Sequence, residues 1–69
     1  MVNTQMLEGV IKASGLRKTY LADKLGISIQ SLRLKCDNKS EFKTNEVATL
    51  CSELGITRLT DKEKIFFNK

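Results

Sequence analysis

Apolar residues recur along this chain at intervals of three and four, and single glycines close the runs. Leu7, Val10, Ile11 and Ser14 fall on one helical face, with Gly15 as the stop. Tyr20, Leu21, Lys24 and Leu25 repeat that spacing up to Gly26. Ser28 then offers an oxygen to the free amides of a third helix running to about Asp37, with Leu32 and Cys36 facing inward. A fourth helix is expected from about Asn45 to Leu54, with Val47, Leu50, Cys51 and Leu54 on one side and Gly55 closing it. Thr60 with Glu63 three residues later reads as a capping box opening a last helix that ends near Phe67. Strand-like alternation never persists, and there is no proline. The pattern predicts an all-α fold, a compact bundle of about five short helices forming a single domain over residues 1–69.

The segment Leu21–Cys36, LADKLGISIQSLRLKC, adds a geometric constraint. One helix ends in Gly26, Ile27 intervenes, and Ser28 starts the next. So tight a connection makes the two helices cross steeply, with Ile27 plugging the angle and Ala22 small enough to let them approach. That is a helix-turn-helix unit, spanning about residues 17–37, whose second helix fits a major groove about 12 Å wide. An ordinary helical hairpin is the plainer alternative.

Charge favours the first of these. Twelve Lys/Arg against eight Asp/Glu give +4 overall. Residues 12–43 hold eight basic and three acidic residues, while 44–69 hold four of each. A basic half beside a neutral half suits a face for an anion such as nucleic acid, although solvation of a small domain also uses surface charge. Composition narrows the chemistry further. With no histidine and two cysteines, His-based relays, Ser-His-Asp or Cys-His triads and a structural zinc site are excluded. The four glycines stand apart, so there is no phosphate loop. The expectation is no enzyme, no cofactor and no metal. Neither an export signal nor a run of about 20 apolar residues is present, and two thiols make no disulfide framework, which together point to a reducing cytoplasm and no membrane.

Residues 16–42 resemble the lambda-repressor/Cro class of helix-turn-helix proteins. The similarity extends to small phage-encoded regulators of about 70 residues, in the stretches KCDNKSEF (Lys35–Phe42) and IFFNK (Ile65–Lys69). Three departures stand out. Arg17-Lys18 replaces the usual Thr-Gln, Asn38 stands where glycine is common, and Cys36 stands where a larger apolar residue is usual. Asn tolerates the left-handed conformation, and Cys36 reads as a small core hydrophobe rather than a redox centre.

The resemblance implies a phage or prophage transcription regulator, a repressor or Cro-like switch. Such a protein binds double-stranded DNA, often as a dimer on a two-fold operator. By position it assigns Ser28, Ile29, Gln30, Arg33 and Leu34 to base reading. Gln30 would pair with adenine, Arg33 with guanine, and Ile29 would meet a thymine methyl. Arg17, Lys18, Ser31, Lys35, Lys39 and Lys43 are the candidate phosphate ligands. Neutralising about four to six phosphates would give a salt slope of roughly −4 to −5. Ile29 and Leu34 also suit a second reading, a protein-binding anti-repressor or adaptor gripping a partner regulator. Phe66 and Phe67 point about 100° apart on a helix, so one ring is expected to close the core and the other to face outward as a weak homodimer contact. Gly9 suggests close packing nearby.

Overall fold

The computed structural model describes residues 2–67, so Met1 and the tail residues Asn68 and Lys69 lie outside the described residues. Five helices follow in order: α1 (Thr4–Ser14), α2 (Lys18–Leu25), α3 (Ile29–Cys36), α4 (Thr44–Leu54) and α5 (Leu59–Phe66). Among the described residues there is no strand. Their starts have different causes. The Asn3 carboxamide oxygen accepts from the Met6 amide at 3.1 Å, and the Ser28 hydroxyl accepts from the Ser31 amide at 3.1 Å. At Lys43 the bond runs the other way, from its amide to the Glu46 carboxylate at 2.8 Å. Lysine has no acceptor to return it, so only half of a capping box forms there.

The expected box at Thr60 does not form. α5 begins at Leu59, one residue before that cap position, while Ile56 is buried and its amide bonds the Cys51 carbonyl at 2.8 Å. Thr60 therefore lies within the first turn, and Arg58 is the N-cap, with no side-chain bond. α1, α2 and α4 all end on a left-handed glycine (Gly15, Gly26, Gly55), a conformation glycine adopts without steric cost.

Each helix contributes to one core. Leu7 and Ile11 of α1, Leu21 and Ala22 of α2, Leu32 and Cys36 of α3, Leu50 and Cys51 of α4, and Ile65 and Phe66 of α5 are all buried. α2 packs on α3 and α4, while α1 packs on α3, α4 and α5. Ile27, in the tight connection, is half-buried against this cluster. Phe66 meets the Phe42 ring edge-on at 5.8 Å, and Phe67 is left 60% exposed. Two expected packing roles are corrected. Tyr20 faces outward and donates to Glu53 at 2.8 Å, an acceptor that raises the phenol pKa. Gly9 is exposed, and a Cβ there would meet nothing within 4 Å, so it marks no close approach.

The N-terminal segment is tied down at two points. The Asn3 amide donates to the Ile65 carbonyl at 2.6 Å. Asn38, at φ 61°, accepts from the Val2 amide and donates to the Val2 carbonyl, both at 2.8 Å. That clamp buries Val2 against the end of α3. No helix among the described residues is long and apolar enough to cross a membrane.

Candidate nucleic-acid interface

The surface that α3 offers follows from its eight-residue length and its helical step. At about 100° per residue, Leu32 and Cys36 lie together on the core side with Ile29 beside them. Arg33, Asp37, Gln30 and Leu34 fall within an arc of about 100° on the opposite side. Burial agrees with this division. Gln30, Arg33, Leu34 and Asp37 are exposed, Leu34 by 44%, whereas Ile29 is half-buried and packs on the core. Ile29 is thus largely withdrawn from the role of meeting a base, because its angular position places it beside Leu32.

Ser28 is exposed, but its hydroxyl is engaged. It accepts from the Ser31 amide and donates to the Ser31 hydroxyl at 3.1 Å. Ser28 and half-buried Ser31 therefore brace the start of α3 and each other. Arg33, Leu34 and Gln30 are the side chains left extended on this face, with Asp37 adding one negative charge at its end.

The basic residues around α3 sort into three kinds. Arg17, Lys39 and Lys43 are exposed and make no ion pair among the described residues. Lys18 is partly exposed and pairs with Glu8 at 2.7 Å. Lys35 is only 8% exposed, and its burial overturns the expectation that it reaches a phosphate. Its Nζ donates to the Glu46 carboxylate at 2.8 Å and the Glu41 carbonyl at 3.1 Å, and sits 6.0 Å from the Phe42 ring centre. The physical reason is angular: Lys35 sits three residues after Leu32, on the shoulder of the buried stripe, where its aliphatic stem packs and its charge must be matched internally.

Glu46 is the counterpart. Burial alone would raise its carboxyl pKa, but hydrogen bonds from Lys35 and the Lys43 amide, with the charges of both lysines, lower it. Both cysteines are free and buried. Burial pushes the Cys36 thiol up to about 11 and also raises Cys51, whose position near Lys62 opposes the shift. Neither has the depressed pKa of a reactive thiol. No group of three or more His, Cys, Asp or Glu among the described residues could hold a metal ion.

Family models, curated proteins and solved structures yielded no match to this chain. The functional reading therefore rests on the geometry of α3 and its surroundings. One short helix projects an amide, a guanidinium and an aliphatic side chain outward, with free cations beyond both of its ends in sequence, at Arg17 and at Lys39 and Lys43. Sequence reasoning did not find Asn38 as the clamp on Val2, nor Glu46 as the partner of Lys35. The only sequence signal for the second is a glutamate three residues after Lys43, which also fits an ordinary helix start.

Proposed function

We propose that this chain is a sequence-specific duplex DNA-binding transcription regulator in which α2 and α3 act as a helix-turn-helix and α3 enters the major groove. The observation that carries this reading is the outward face of α3, where Gln30 and Arg33 stand together. Those are the side-chain types that pair bidentately with adenine and guanine edges. A helix with its side chains is about 10–12 Å across, which fits a major groove about 12 Å wide. Arg17, Lys39 and Lys43 would hold phosphates to either side, and two copies would read a two-fold site.

Selection of bound sequences from a random duplex pool tests the reading, and the expected product is a defined, palindromic site. With Lys35 internal and Lys18 paired, three free flanking cations remain per copy. The expected fall of log K with log salt is then about −3 per bound copy. A flat salt response and no enriched sequence would overturn the proposal. Leu34, exposed on the same face, favours the adaptor reading as the second choice. In that case Leu34→Ala would abolish capture of a partner regulator while Arg33→Ala left it intact.

A further inference from the structure

α3 ends on an acidic side chain that lies on its outward face. Asp37 is the sole carboxylate between Lys24 and Lys39. It closes the helix as C-cap, its amide donating to the Arg33 carbonyl at 3.0 Å. On the helical step it stands about 40° from Arg33 and about 20° from Gln30. The side chain is exposed and has no ion partner among the described residues. Its charge does the helix no service, because the last turn already carries partial negative charge and a carboxylate there opposes the dipole. Adhesion to DNA is not served either, since the same charge repels the phosphates that Arg17, Lys39 and Lys43 would hold. A group that is unfavourable on both counts, yet stands in line with Gln30 and Arg33, points to discrimination.

We infer that Asp37 is a specificity-determining residue, accepting from the N4 amine of a cytosine in the major groove and weakening binding to duplexes that lack one there. The inference rests on the DNA reading above. An ionised carboxylate only accepts hydrogen bonds. Cytosine offers it an amine, whereas guanine and thymine present acceptors that leave it desolvated and unpaired. Adenine sets an acceptor, N7, beside its amine and so suits an amide better than an acid.

The spacing separates this contact from that of Arg33. Asp37 lies four residues, about 6 Å, farther along the axis, close to two base steps of about 3.4 Å each. The two side chains therefore address different base pairs. Arg33 attracts any phosphate as well as guanine. Asp37 cancels part of that general attraction and restores it at one base, so specificity comes from repulsion built against the wrong sequences.

The test is selection from a random duplex pool, run in parallel on full-length wild type, Arg33→Ala and Asp37→Asn, with titration on the selected site and on an unrelated duplex. Wild type should enrich cytosine about two base pairs from the position that Arg33→Ala relaxes. Asp37→Asn should lose that cytosine alone and admit adenine, the base an amide pairs with. Its affinity for the unrelated duplex should rise about threefold, and its ratio of specific to unrelated binding should fall about tenfold. An unchanged cytosine preference or an unchanged ratio in Asp37→Asn overturns the inference and leaves the DNA reading standing. A lowered urea midpoint with the ratio intact also overturns it, by placing Asp37 in the service of the fold. A wild type that selects no sequence removes both readings together.

Discussion

Arg33 and Lys35 are two positions apart on one helix and carry the same charge, yet they serve opposite ends. About 200° of helical rotation separates them. Arg33 extends into solvent with no ion partner among the described residues. Lys35 is enclosed by Glu46, the Glu41 carbonyl and the Phe42 ring. One adds to the field outside the molecule, and the other joins α3, the following loop and α4 into a single packed unit. A count of basic residues therefore overstates the positive face. Of the cations between residues 12 and 43, Lys18 and Lys35 are already matched by Glu8 and Glu46.

The sharpest way to break this contrast is to remove each cation in turn. Lys35→Ala strands the Glu46 carboxylate in a buried site and should cost about 3–5 kcal/mol in urea unfolding. That is a large share of the roughly 3–10 kcal/mol a domain of this length possesses. Lys35→Met combined with Glu46→Leu replaces the pair with apolar volume and should fall within about 1 kcal/mol of wild type. If the double variant is as unstable as Lys35→Ala, the lysine is needed for more than its pairing.

Acid separates the two positions again. The folded Glu46 carboxyl titrates below its ordinary value of 4.5, so as pH falls the unfolded chain takes up this proton first. Its stabilisation is complete well above 4.5 and disappears as pH drops through the lowered folded value. Thermal melts of wild type should show that loss, whereas the Lys35→Met/Glu46→Leu chain should lack this component and Arg33→Ala should retain it.

Arg33→Ala should leave urea stability within about 0.5 kcal/mol of wild type while costing about 1–3 kcal/mol on the best duplex and relaxing preference at one base pair. Loss of stability in place of binding would put Arg33 inside the fold with Lys35. The smallest effect belongs to Lys18→Ala. Its pair with Glu8 is partly exposed on both sides, and surface pairs contribute about 0–1 kcal/mol. Urea unfolding at two salt concentrations measures that remnant.

Much of this architecture is legible in one dimension because it depends on local periodicity. The i, i+3, i+4 spacing that joins Leu7 to Ile11, Leu32 to Cys36, and Val47 to Leu50 and Cys51 identifies residues that are buried or, for Val47, packed against the core. The Gly26–Ile27–Ser28 turn forms where the pattern puts it, with Gly26 left-handed and Ser28 as N-cap. The outward positions of Gln30, Arg33 and Leu34, and the division of Phe66 from Phe67, follow from the same 100° step. What escapes is whatever depends on a partner in another element. Lys35 looks like a surface cation until Glu46, eleven residues on, is folded against it. Val2 becomes core only through Asn38, whereas the place of Ile29 beside Leu32 follows from the same 100° step within α3. The last helix begins one residue early, at Leu59, so Thr60 lies inside its first turn and caps nothing.

The Asn38 clamp has a consequence in time. It joins positions 36 residues apart, whereas the helices between them assemble from bonds four residues long. Closing so wide a span is entropically slow to be rewarded, so the clamp is expected to form late in folding and to be open in the transition state. Contacts of that kind act on the escape rate from the native state and leave the folding rate almost untouched. Asn38→Gly would keep the left-handed turn while deleting the side-chain bonds to Val2. For a loss of about 1 kcal/mol, stopped-flow unfolding should accelerate about fivefold with an unchanged refolding arm. On that outcome one carboxamide would govern how long the folded chain lasts, with little part in how fast it forms.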